Sequence, residues 1–192
     1  MQTRTHLLAA AKRLFVDRGF GATSLRDIAT EAGYTQGAFY SNFASKEELF
    51  VELMRERSKA QVTDIARTLS DPAASAEDIL SALEVWARTL DAEPEWSVLG
   101  VEFKLMGRRS PAVAAAVQAL LDAHRDGLAY CIGQIFARLK KVPPESPMVL
   151  ATSFMGLSQG LALQRSMLSE VPIGYMIMVF LRSLLAAAPR VR

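Results

Sequence analysis

The chain has 192 residues, 51% hydrophobic and 22% charged, with 22 Lys and Arg against 20 Asp and Glu. That size suits one domain or two small ones and needs no metal or disulfide staple to fold; the lone Cys131 excludes an intramolecular disulfide and fits a reducing compartment. A net charge of +2 excludes a polybasic tail and, taken as a total, argues against a nucleic-acid partner.

In chain order, Leu7, Ala11, Leu14 and Phe15 recur at helical spacing and Gly19 is placed to end their helix, predicted over 4–18. Lys12 and Arg13 cut the first apolar run short of the roughly 7–15 residues that a signal peptide needs. Three Ser-x-x-acid boxes follow, Ser24 with Asp27, Ser45 with Glu48 and Ser75 with Asp78, each of which marks a capped helix start. Ser110-Pro111 and Ser146-Pro147 mark two more, and Pro172 opens the last helix. The predicted helices are 24–31, 35–41, 46–69, 76–92, 95–108, 111–141, 146–167 and 171–187. Asp126-Gly127 lies inside the seventh, because apolar spacing continues through it at Leu121, Leu128, Ile132, Ile135 and Leu139.

The chain is therefore expected to be all-α, with about nine helices and no strand. Glycine alone punctuates its first 71 residues, and every proline lies beyond them. This shift suggests a small domain at 1–46 and a larger one at 47–192, with the helix 46–69 linking the two. The uncharged stretch 146–164 nears spanning length, but Ser146, Thr152, Ser153, Ser158, Gln159 and Gln164 would be costly in lipid, so a buried interface helix is expected and no membrane partner.

The chemistry concentrates between Gly21 and Lys46. Two short helices separated by Ala32-Gly33-Tyr34 have the outline of a helix-turn-helix, with Gly33 supplying positive φ. Leu25, Ile28, Ala29, Ala32, Phe39 and Phe43 face inward, leaving Thr35, Gln36, Gly37, Tyr40 and Ser41 outward. Glutamine can pair bidentately with adenine, a threonine methyl can touch thymine, and glycine admits close backbone approach. Ser24, Tyr40, Asn42 and Lys46 are donors suited to phosphate.

The string Thr23-Ser24-x-x-x-Ile28-Ala29, then Ala32-Gly33-x-Thr35-x-Gly37-x-x-Tyr40-x-Asn42-Phe43-x-x-Lys46-Glu47-x-Leu49-Phe50, resembles the DNA-binding domain of TetR-type (TetR/AcrR) transcriptional regulators over about residues 4–50. The resemblance implies a three-helix DNA-binding head and a helical body that dimerises and binds a small molecule. It places base contacts on Thr35, Gln36, Gly37 and Arg26, and phosphate contacts on Ser24, Tyr40, Asn42 and Lys46. Asn42 stands where the family usually has histidine.

In the body, Trp86, Trp96, Phe103, Met106, Tyr130, Phe136, Phe154 and Met155, with Gln134, Gln159 or His124 as polar groups, are candidates for an effector cavity, and most are equally at home in a core. An apolar or amphipathic effector is expected. The last two helices are the expected dimer face, through Ala151, Gly156, Gly160, Met176, Val179 and Phe180, although intramolecular burial of the same helices is the alternative.

These features point to a cytoplasmic homodimer that represses transcription from a palindromic double-stranded DNA operator until its effector binds. Activation of transcription, or redox control through Cys131, is the alternative within the same family. An enzyme is a distant third: no H-E-x-x-H, G-x-S-x-G, P-loop or G-x-G-x-x-G pattern occurs, so no catalytic residue, metal or cofactor is expected. Dividing the charge sharpens the picture. The first 46 residues hold Arg4, Lys12, Arg13, Arg18, Arg26 and Lys46 against Asp17, Asp27 and Glu31, while charges beyond residue 60 cancel.

Overall fold

The computed structural model describes residues 2–92, 95–168 and 171–191. Among them are nine helices and no strand: α1 (Gln2–Ala22), α2 (Leu25–Glu31), α3 (Gln36–Tyr40), α4 (Lys46–Ser70), α5 (Ala76–Ala92), α6 (Glu95–Arg109), α7 (Pro111–Arg138), α8 (Pro147–Leu168) and α9 (Ile173–Ala187). The all-α expectation holds. Asp126 and Gly127 lie inside α7 as expected.

The caps explain most helix starts. At Ser24 and Ser75 the boxes are complete: the hydroxyl accepts from the backbone N–H of Asp27 or Asp78, whose carboxylate accepts from the serine N–H at 2.9 and 2.8 Å. At Ser45 the hydroxyl accepts from Glu48 N–H, but the Glu48 carboxylate takes the N–H of Ala44 instead. Glutamate is one methylene longer than aspartate and reaches one residue further back. Pro172 is the N-cap of α9, one position before the helix proper.

Two ends differ from expectation. α1 continues to Ala22 across a break at Gly19, whose φ of 79° and ψ of 165° suit only glycine. α7 stops at Arg138 because Lys140 N–H bonds Ala137 O and Lys141 N–H bonds Phe136 O, with Lys140 at φ 52°. That pair of bonds is a Schellman cap.

The backbone divides into two compact units, Met1–Arg57 with Val98–Leu120, and Ser58–Ser97 with Leu121–Arg192. The head unit therefore takes in the start of α4, most of α6 and the start of α7, beyond the 1–46 expected. Its core is aromatic. Phe50 stacks on Phe20 at 4.8 Å between ring centres and meets Phe15 and Phe103 edge-on at 5.1 and 5.4 Å. Burying a phenylalanine contributes about 1.5–3 kcal/mol, and each aromatic pair about 0.5–1.5 more.

The body unit is built on Ile65 and Leu69 of α4, Ile79 and Leu83 of α5, Ile132, Ile135 and Phe136 of α7, Leu150 of α8, and Met178 and Leu181 of α9. A second cluster joins Leu90, Ala162, Ile173 and Ile177. α5 and α9 cross closely at Gly174, whose N–H donates to the Asp91 carboxylate at 3.1 Å.

Candidate nucleic-acid interface

The turn between α2 and α3 is a second Schellman cap. Gly33 N–H bonds Thr30 O, Tyr34 N–H bonds Ala29 O, and Gly33 holds φ 76°. Tyr34 Oη then meets His6 Nδ1 at 3.1 Å, tying the turn to α1. α3 begins at its N-cap Thr35, whose hydroxyl accepts from Ala38 N–H. Its Phe39 is fully buried, whereas Thr35, Gln36, Gly37, Tyr40 and Ser41 are exposed, Tyr40 to 60%. A Cβ at Gly37 would meet only Thr35 Oγ1, at 3.7 Å, and φ there is not positive. The protein's own packing does not require glycine at this position.

Several expected donors are engaged by hydrogen bonds within the fold. Lys46, expected at phosphate, is the clearest case. Its Nζ donates to Phe20 O at 2.8 Å and Thr23 O at 2.7 Å and lies 4.1 Å over the Phe20 ring. Half-burial pushes this amine below its usual value, while Glu47 and Glu102 pull it back up. The last carbonyls of α1 lack helical partners, and the ammonium supplies them. Asn42 Nδ2 donates to Ala38 O at 2.8 Å and Ser41 Oγ to Gly37 O at 3.0 Å, closing the end of α3 in the same manner. Ser24 Oγ donates to the Asp27 carboxylate within its cap.

The side chains left facing out are the Gln36 amide, the Tyr40 hydroxyl, the Thr35 methyl and Arg26, which makes no hydrogen bond or ion pair among the described residues. The basic excess of the head is largely engaged internally. Arg13 pairs with Glu31, Arg18 with Asp17, and Arg4 lies over Phe43 near Glu52.

Two residues that were not among the expected contacts hold this surface in place. Thr23, buried, donates to Gly19 O, and Glu102 of α6 accepts from Phe20 N–H at 2.8 Å. Phe20 is thus gripped on both sides of its peptide, by Glu102 at the nitrogen and Lys46 at the carbonyl. No local pattern signals this, because Glu102 lies far along the chain.

The expected cavity residues fall in both units. Phe103 and Met106 belong to the head unit, where Phe103 packs on Phe50, and Tyr130 is 61% exposed on α7. Trp86 and Phe154 do sit where the two apolar clusters of the body meet. Trp96 is buried, and Gln134, Met155 and Gln159 are half-buried. Of the expected dimer residues, Ala151 is wholly buried within the protomer, which removes it from an outer face. Gly156, Val179 and Phe180 are exposed, and Gly160 and Met176 half-exposed. Cys131 lies in the body core, where burial pushes its thiol up, the opposite of a reactive thiolate. No described helix is long and apolar enough to cross a membrane.

Residues 7–53 match the family described as bacterial regulatory proteins, tetR family. The transcriptional regulator AcrR of Shigella flexneri is 38% identical over 84 residues, 41% of this chain and 39% of that protein. The transcriptional repressor KstR2 of Mycobacterium tuberculosis is 50% identical over 52 residues, 27% and 26% of the two chains. These matches span about a quarter to two-fifths of the relatives' length. Beyond them the likeness is one of fold. SmeT, the repressor of the Stenotrophomonas maltophilia multidrug efflux pump SmeDEF, superposes with a TM-score of 0.71 at 20% identity, covering 98% of this chain and 92% of SmeT, and its complex with triclosan matches equally well. Its helix-turn-helix segment, residues 7–53, thus matches the tetR family of bacterial regulatory proteins, and nearly its whole length shares the fold of SmeT.

Proposed function

We propose that the protein is a homodimeric transcriptional repressor that binds a near-palindromic DNA operator and is released from it by a small apolar or amphipathic ligand. The observation that carries this reading is α3, which buries Phe39 and turns Gln36, Gly37 and Tyr40 outward, with the Gln36 amide and Tyr40 hydroxyl unused by the fold. An α-helix of this kind fits a major groove, where Gln36 would read adenine and Thr35 thymine, with Arg26 as a further base contact and Tyr40 on the flanking backbone. Ser24, Ser41, Asn42 and Lys46 would serve by shaping the surface rather than by gripping phosphate.

Each protomer would supply one head, with the exposed faces of α8 and α9 joining the pair through Gly156, Gly160, Met176, Val179 and Phe180. The ligand site is proposed around Trp86, with Trp96, Gln134, Met155 and Gln159 as further lining, and a cytoplasmic location follows from the DNA target. Ligand relieves repression only by binding the non-operator conformation more tightly. The burial of Cys131 speaks against redox control.

Selection of operators from random duplexes, followed by gel-shift titration in rising salt, tests the reading. Tight, salt-sensitive binding to a two-half-site sequence is expected, and Gln36→Ala relaxes the preference at one base pair per half-site by about 1–3 kcal/mol. No sequence-selective binding by the intact dimer would overturn it.

A further inference from the structure

We propose that a groove at one end of the body unit is a binding site for an amphipathic anion, an acyl or alkyl chain ending in carboxylate or phosphate. The groove, about 530 Å³, lies between the start of α5, the end of α7 with the loop after it, and the end of α9. That volume is typical of small-molecule sites, which range over roughly 300–1,000 Å³. Leu80, Leu139 and Leu185 form its apolar floor, and Arg138, Lys140, Lys141, Arg182 and Arg190 its rim, with no acidic side chain lining it among the described residues.

Three of these cations are held by the fold. Arg138 donates to Asp71 O and Ala74 O, Lys141 Nζ to Ala188 O at 3.1 Å, and Arg182 pairs with Glu84. Lys140 and Arg190 are exposed, and neither side chain makes a hydrogen bond or ion pair among the described residues. They are nevertheless brought together by backbone pairing. Val142 N–H bonds Pro189 O and Val191 N–H bonds Lys140 O, both at 2.9 Å, around an isolated antiparallel bridge between Lys141 and Arg190. Gathering like charges without a counter-charge is unfavourable unless something negative joins them.

The backbone at Lys140 is an independent pointer. The Schellman caps of α2 and α7 have the same hydrogen bonds, but the left-handed position is glycine in one, Gly33, and lysine in the other, Lys140. It is the only non-glycine residue with positive φ among those described. A side chain kept at a position where its absence is favoured suggests use. An inorganic anion would use the rim alone and a neutral hydrocarbon the floor alone; a ligand with an apolar tail and an anionic head uses both.

Methyl NMR of the full-length protein, with Leu139 and Leu185 assigned by substitution, tests this directly. Decanoate or decyl phosphate is expected to shift both residues saturably, and the tighter of the two identifies the head group. Lys140→Gln with Arg190→Gln weakens binding about tenfold or more, as loss of charge-assisted contacts should, and decanol binds more weakly than either anion. Lys140→Gly raises the melting temperature while weakening binding, which separates loss of the site from loss of the fold. Absence of saturable shifts at these leucines, equal binding of decanol and decanoate, or undiminished affinity in the double variant would each overturn the proposal.

Discussion

At the scale of single residues, the fold decides what a polar side chain is free to do. Lys46 is next to a helix start, where a cation that reaches for phosphate is easy to imagine, yet its ammonium closes the end of α1 through Phe20 O and Thr23 O. Lys46→Met therefore strands two carbonyls and lowers unfolding free energy by about 1–3 kcal/mol in urea titration. A residue whose role was only to touch phosphate would leave the midpoint unmoved. The capping aspartates make the complementary prediction in pH. The hydroxyl and N–H of Ser24 hold the Asp27 carboxyl below its ordinary 3.8, and Ser75 does the same for Asp78. A depressed carboxylate stabilises the fold above its unfolded value and loses that contribution as pH falls through the folded one. The stability gap between the wild type and Asp27→Asn is expected near neutral pH and closes below 3.8 in acid denaturation curves.

Elements were more legible than their contacts. Ser-x-x-acid boxes and 3–4 spacing are local signals that report the backbone's own hydrogen-bonding needs, so the nine helices among the described residues overlap those the signals predict, with the ends of α1 and α7 the main departures. What the sequence left open are events between elements. Nothing near Glu102 says that its carboxylate will cap a break in α1, and nothing near Phe103 distinguishes a cavity wall from a partner for Phe50. The recognition surface was legible as a string but not in its side-chain directions, since Lys46, Asn42 and Ser41 turn on carbonyls that the motif does not name. Gly174 shows the same limit. In sequence it is an unremarked glycine near a helix start, yet a Cβ there would overlap the Ala87 carbonyl of α5. Gly174→Ala is expected to lower stability by about 3 kcal/mol, because backbone rather than a flexible side chain must yield. Gly21→Ala, with nothing within 4 Å and an exposed site, changes it by no more than about 1 kcal/mol. Thermal denaturation of the two variants side by side checks the contrast.

For the molecule as a whole, the question is why α8 and α9 leave so much apolar surface bare. Met148, Val149 and Leu163 on α8, and Tyr175, Val179 and Phe180 on α9, are all exposed, although both helices also feed the body core. The polar groups among them do not contest burial. Thr152, Ser153 and Ser183 return their hydroxyls to carbonyls of their own helices. Gly156 and Gly160 have nothing within 4 Å of where a Cβ would stand, so a second helix can come close without displacing anything in the protomer. A face that is apolar, internally satisfied and locally bare is suited to a copy of itself. Phe180→Glu places a charge among these apolar side chains and, since Phe180 is half exposed within one protomer, leaves the protomer's own packing largely intact. The expected result is a monomer by sedimentation velocity with unchanged helical circular dichroism. Its operator affinity should fall steeply, because two half-sites are then no longer gripped by one particle. A variant that sediments as the wild type does would place the proposed interface elsewhere.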